Sequence, residues 1–237
     1  MLGFYSMDST WLYLILVVPA FIISLIAQAK VKSTYSKMAK VRNTSGYTGA
    51  QAAAAVLRHY GILDVRIEET SGKLSDHFDP RSKVIRLSRE VYYGNSIAAV
   101  GIACHEAGHA AQHAQSYAPI KLRNSIIPVC NIGSYLGLPL AFAGYFLGFE
   151  PLILVGLGLY SLIAVFQLVT LPVEFNASAR AVKVIDETGL LRGEEEISGA
   201  KKVLSAAAMT YVAALAVTLA NLLRFAILFL GRGRKNR

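Results

Sequence analysis

Hydrophobic positions along this 237-residue chain fall into four long blocks, and polar positions concentrate between the first and second of them. A helix needs about 20 apolar residues to cross a hydrocarbon core. Trp11 to Ala29 meets that length without a charged residue and stops abruptly at a segment carrying Lys30, Lys32, Lys37, Lys40 and Arg42. Ser125 to Phe149 and Pro151 to Pro172 are divided by little more than Glu150, which predicts a transmembrane hairpin. Ser205 to Leu230 is long enough but encloses Arg224, whose charge must pair, snorkel or lie near an interface. The pattern divides the chain into an N-terminal anchor (1–29), a polar domain (30–124), the hairpin (125–172), a helical segment (173–204) and a C-terminal hydrophobic segment with a basic tail (205–237). A cleaved signal peptide is the alternative for the first block, because Ala27-Gln28-Ala29 has the small-x-small spacing of a cleavage site. No Lys or Arg precedes it, which argues for an uncleaved anchor.

The polar domain alternates helix and strand signals. Thr48 with Gln51 makes a capping box, and Gly61 supplies the stop of the short helix between them. Three β-like runs follow, Val65 to Glu69, Lys73 to Phe78 and Lys83 to Ser88, joined by the turn sequences "TSG" and "DPRS". They predict a small antiparallel sheet. From about Ser96 to Gln115 the chain is Ala-rich and helical. The expected architecture is an α-rich integral membrane protein, with three to four transmembrane helices and a small α+β domain.

Composition agrees with a membrane protein: 54% of residues are hydrophobic and only 16% charged. The formal net charge of +9 raises a nucleic-acid reading, but the cations crowd beside the apolar blocks and no aromatic-basic motif accompanies them. Orientation explains them better, since Lys and Arg near short loops mark the cytoplasmic side. The clusters Lys30 to Arg42, Lys121 with Arg123, Arg180 with Lys183, and Lys201 with Lys202 share one side if the first three blocks cross. Should the fourth also cross, the tail from Gly231 falls on the other side, against the same rule. Cys104 and Cys130 sit in apolar contexts, and neither a disulfide nor a cysteine zinc site is expected.

Chemistry concentrates in "HEAGH". His105 and His109, at i and i+4 on a helix, present two imidazoles on one face, and Glu106 points about 100° around the axis, beside a metal ion rather than onto it. Zinc lowers the pKa of water it holds towards about 7, and such a carboxylate can take the proton and pass it to a leaving amine. His113 continues the face about 6 Å further along, too far to share the ion on a straight helix, so it is expected to pack nearby. Gln112 and Gln115 break the metzincin spacing. A third ligand must come from elsewhere, because catalytic zinc commonly takes three protein ligands. Glu150 sits in the hairpin turn, and Glu194 to Glu196 look like a solvated helix start. Glu174 lies where the third block emerges on the histidines' side, which makes it the best candidate; its bland alternative is an interfacial carboxylate paired with Arg180.

Together, "SGKLSDHFDPRSKVIRLS", "AVGIACHEAGHAAQH" and "LPVEFNASARA" resemble the bacterial "putative neutral zinc metallopeptidase" membrane family over nearly the whole chain. More distantly, the order of H-E-x-x-H, hairpin and glutamate is similar to the HtpX and CAAX-processing membrane proteases. In those the glutamate opens an E-x-x-x-D pattern; here the last position is Ser178. The resemblance implies a zincin-like domain, Zn2+ held by His105, His109 and Glu174, and Glu106 as general base and acid. It points to a membrane-bound endopeptidase of the bacterial cell membrane acting on membrane or membrane-associated proteins, and the Lys and Arg clusters place its site on the cytoplasmic side. In zincin-like folds an edge strand can pair with extended substrate, and Lys83, Val84, Ile85, Arg86, Leu87 and Ser88 form the candidate strand. Two rival readings are an intramembrane site-2-type protease, which needs its motif inside a spanning helix and a later aspartate such as Asp186, and a non-catalytic metal-binding, transporting or scaffold membrane protein.

Overall fold

The computed structural model describes residues Ser9 to Gly233. Residues 1–8 of the expected anchor and 234–237 of the basic tail, with the side of the membrane on which that tail ends, lie outside the described residues. Among the described residues eight α-helices and three strands follow one another: α1 Ser9–Leu12, α2 Val18–Met38, α3 Gly49–His59, β1 Arg66–Thr70, β2 His77–Asp79, β3 Val84–Ser88, α4 Arg89–Tyr92, α5 Ile97–Ala114, α6 Ala118–Leu147, α7 Glu150–Thr188 and α8 Gly193–Gly233. A π-helical turn at Tyr13–Val17 joins α1 to α2. Four helical stretches, Thr10–Met38, Ala118–Leu147, Glu150–Thr188 and Gly193–Phe229, are long and apolar enough to cross a membrane. The protein is an α-rich membrane protein.

The chain forms two compact units, one of the described residues up to Ala27 with Leu122–Thr170 and those from Thr210 on, the other of Gln28–Lys121 with Leu171–Met209. In the first, α6 and α7 pack through small residues, as helices do where lipid offers no hydrophobic drive. A Cβ at Gly156 would lie 2.3 Å from the Ala141 nitrogen, and one at Gly133 2.4 Å from the Leu159 carbonyl. Phe142 meets Phe225 and Phe229 edge-on at centroid distances of 5.8 and 5.2 Å. Among the described residues Arg224 has no carboxylate partner; its guanidinium lies over the Tyr13 ring at 4.9 Å, with Phe225 at 5.2 Å, an arrangement that keeps a cation tolerable among apolar neighbours.

The second unit buries α5 against α3, β3 and the end of α7. Ser96 caps α5, its hydroxyl accepting the Ala99 N–H at 3.1 Å. The Thr48/Gln51 capping box opens α3, and Gly61, at φ +67°, follows its end. Ala103, Ala107 and Ala111 of α5 are fully buried with Ala181, Val184 and Ile185 of α7. Glu196 is buried rather than solvated: its carboxylate accepts the backbone N–H groups of Thr44 and Arg192, both at 2.8 Å.

The sheet departs from the antiparallel meander expected of its turn sequences. Its order is β1-β3-β2, with β1 parallel and β2 antiparallel to β3. Burial explains the order. Val84, Ile85 and Leu87 are completely enclosed, and a strand buried on both faces takes the centre, whereas "RIEET" and "HFD" are polar enough for edges. The connection after β1 is no tight hairpin turn. Gly72 and Leu74 take positive φ, and Asp76 accepts the N–H and hydroxyl of Ser88, at 2.7 and 3.1 Å, which carries the chain across to the far side of β3. The second expected strand, Lys73 to Phe78, shrinks accordingly to His77–Asp79.

Candidate metal centre

Close approach of two helices builds the site. A Cβ at Gly108, between the two histidines of "HEAGH", would stand 2.7 Å from the Ala177 carbonyl of α7 and 3.3 Å from its Cα. Glycine there lets the α7 backbone rest on the ligand helix, and α7 delivers Glu174 one turn before Ala177. His105 Nε2 and His109 Nε2 lie 3.4 and 3.7 Å from Glu174 Oε2, their side chains only 15%, 12% and 7% exposed. The three ligand atoms all fall within 4.8 Å of one another. Two atoms each ~2.0–2.1 Å from a tetrahedral ion are about 3.3 Å apart. The donor set therefore fits zinc: two imidazole nitrogens converge on one carboxylate oxygen, both nitrogen–oxygen separations close to tetrahedral spacing.

The rings are held from behind. Arg180 Nε donates to Asn176 Oδ1 at 2.7 Å, and its Nη1 donates to Gln115 Oε1 at 2.5 Å. The guanidinium also lies over the Tyr60 and Tyr117 rings at 5.6 and 5.9 Å. A guanidinium only donates, so Asn176 must turn its oxygen inward. Gln112, fully buried, then donates Nε2–H to that oxygen at 3.0 Å and to the Val173 carbonyl at 2.7 Å. This leaves Gln112 Oε1 facing His109 Nδ1 at 3.0 Å. His109 accordingly carries a proton on Nδ1, which leaves Nε2, on the Glu174 side, as the nitrogen available to a metal. On the other ring, Ser178 Oγ sits 3.1 Å from His105 Nδ1, so a hydroxyl occupies the position where an aspartate stands in the E-x-x-x-D pattern.

Burial alone would strip a proton from His109, but the carboxylates of Glu174 and Glu106 and the bond to Gln112 outweigh it and hold the imidazole's pKa above its ordinary value. Glu106 stands outside the three-atom cluster, and its Oε2 accepts the Phe78 N–H of β2 at 3.1 Å. The outward edge of β2 thus aims the carboxylate.

Of the sequence-predicted residues, His105, His109 and Glu174 come together and Glu106 lies beside them. The candidate edge strand does not: Val84, Ile85, Arg86, Leu87 and Ser88 form the central strand, hydrogen-bonded on both sides, and Lys83 is a turn residue at φ +52°. A paired strand has no free edge for a substrate. His113 is exposed and touches the Phe78 ring edge-on at 6.0 Å. Sequence reasoning missed Gln112, Asn176 and the Phe78 amide; for Gln112 the available signal was its position three residues after His109, on the same helical face.

A family model described as "Putative neutral zinc metallopeptidase" matches residues 13–230. The chain belongs to that family. It is 48% identical over 225 residues to "Putative membrane protease YugP" of Bacillus subtilis (strain 168), covering 95% of this chain and all of that relative. No solved structure matches. Zinc is the metal of the family, and the His105, His109 and Glu174 cluster is where the chain can hold it.

Proposed function

We propose that this protein is a membrane-anchored zinc endopeptidase that hydrolyses peptide bonds of membrane or membrane-associated proteins. The observation that carries the reading is a buried two-histidine, one-glutamate cluster with a separate carboxylate, Glu106, aimed beside it by a strand amide. Zinc, when bound, supplies Lewis acidity, polarising the scissile carbonyl and acidifying water. His105, His109 and Glu174 hold the ion, and Gln112 and Ser178 keep the imidazoles turned towards it. Glu106 takes a proton from the attacking water and returns it to the departing amine nitrogen. Its bond from Phe78 occupies Oε2 and leaves Oε1 for that transfer.

The lysine and arginine clusters beside the apolar blocks support a cytoplasmic site in a bacterial cell membrane. The ligand helix, Ile97–Ala114, is not among the four stretches apolar enough to span, and Glu174 rather than Asp186 joins the cluster, so an intramembrane site-2-type reading gains no support.

The test uses the full chain and Glu106→Gln in detergent, with zinc per chain measured alongside cleavage of an unstructured casein-type substrate. Stoichiometric zinc in both, with chelator-sensitive cleavage by the wild type alone, is expected. Absence of bound metal, or equal cleavage by the variant, would overturn the reading.

A further inference from the structure

Away from the metal cluster, α2 and α8 share a cavity of about 580 Å³ within the second unit. The helical repeat turns the same residue chemistry inward from both sides. Lys30, Ser33 and Lys37 of α2 line it at i, i+3 and i+7, and Ser198, Lys201 and Lys202 of α8 line it at i, i+3 and i+4. Among the described residues no Asp or Glu lines the cavity. Four ammonium groups around one concavity repel one another, and hydroxyls between them add donors; the chemistry they complement is a phosphate.

Position along the helices selects the kind of phosphate. Lys30 directly follows the uncharged run that ends at Ala29, and Lys201 and Lys202 directly precede the apolar run of α8. Ala206 and Met209, already inside that run, line the same cavity. It therefore offers cations at the polar end and apolar surface at the other, as a phospholipid requires. Lysines placed only to orient a span would be scattered around each helix; Lys32 and Lys40 of the same basic segment do lie off this cavity.

We propose that this cavity is a binding site for the headgroup of an anionic glycerophospholipid, held by Lys30, Lys37, Lys201 and Lys202. The site is independent of the peptidase reading.

Native mass spectrometry of the full chain in neutral detergent, with phosphatidylglycerol and phosphatidylcholine of identical acyl chains, tests it. The wild type is expected to retain one phosphatidylglycerol per chain with a preference of about tenfold or more, juxtamembrane lysines each favouring anionic lipid. Replacing Lys30, Lys37, Lys201 and Lys202 together by Gln should bring the two lipids to parity, while replacing Lys32, Lys40, Lys121 and Lys183 by Gln should leave the preference intact. If the fourfold cavity variant does not fold, Lys201→Glu alone, which sets a carboxylate among the remaining cations, should give the same loss. No preference in the wild type, or equal loss in both fourfold variants, overturns the site in favour of general charge attraction. Displacement of the lipid by millimolar glycerol phosphate overturns it in favour of a soluble phosphate site.

Discussion

Gln112→Leu separates what this side chain does for the metal from what it does for the fold. The glutamine makes three bonds, one to His109 Nδ1 and two, through Nε2, to the Val173 carbonyl and Asn176 Oδ1. The two Nε2 bonds are the same with or without metal, so their loss falls on stability. Leucine nearly preserves the volume but removes the buried donor; the Val173 carbonyl, inside α7, keeps its helical bond and Asn176 its bond from Arg180, which limits the cost to about 1–3 kcal/mol. The third bond fixes the ring that must present Nε2, and losing such a partner typically costs ~10–100-fold in metal affinity, equivalent to about 1.4–2.7 kcal/mol. Gln112→Glu dissects the pair further. Its carboxylate still accepts from His109, so zinc affinity should stay within a few-fold of wild type, whereas stability should fall because a buried charge now faces two acceptor oxygens. Competition with a chromophoric zinc chelator measures affinity, the visible spectrum of the cobalt-substituted protein reports ligand geometry, and thermal unfolding of the chelated protein reports the fold. Wild-type zinc affinity in Gln112→Leu would refute the orienting role, and equal losses in Leu and Glu would show that packing alone matters.

Gly108→Ala should force α5 and α7 apart at Ala177, giving sub-stoichiometric zinc by elemental analysis and a loss of about 1–3 kcal/mol in stability. Ser178→Ala removes one neutral hydrogen bond from His105 and should weaken zinc binding by up to about tenfold, less than Gln112→Leu. Acidity acts through His109, whose pKa is raised in the metal-free fold. A raised value makes protonated His109 stabilise the chelated protein below its ordinary value of 6.5, and that stabilisation fades as pH rises through the folded value. Zinc must displace the proton, so the Tm difference between zinc-loaded and chelated protein should widen from pH 6 to pH 8; a difference that narrows would refute the assignment.

The apolar blocks foretold the long helices because span length and hydropathy are local properties, and the Ser96 and Thr48 caps were legible for the same reason. Glu174 could be reached from sequence because membrane topology limits which acids share a side with His105. Strand order was hidden. "TSG" and "DPRS" both permit turns, and only the complete enclosure of Val84, Ile85 and Leu87, which depends on what α3 and α5 lay over them, sends the strand to the centre. Gln112 and Asn176 were hidden because the bond between them, across 64 positions of sequence, forms only where α5 packs on α7, and in the primary structure Gln112 registered only as the residue that breaks a metzincin spacing.

The amide behind His109 has an implication for how the centre responds to its surroundings. A carboxylate in that place could gain a proton in acid and release the ring, turning the ligand's orientation into a titrating quantity. Gln112 and Asn176 have no such second state, and the guanidinium that sets their sense stays charged throughout the range in which proteins are folded. Neither amide behind the ring titrates, so acid cannot turn the ring away by protonating what it leans on.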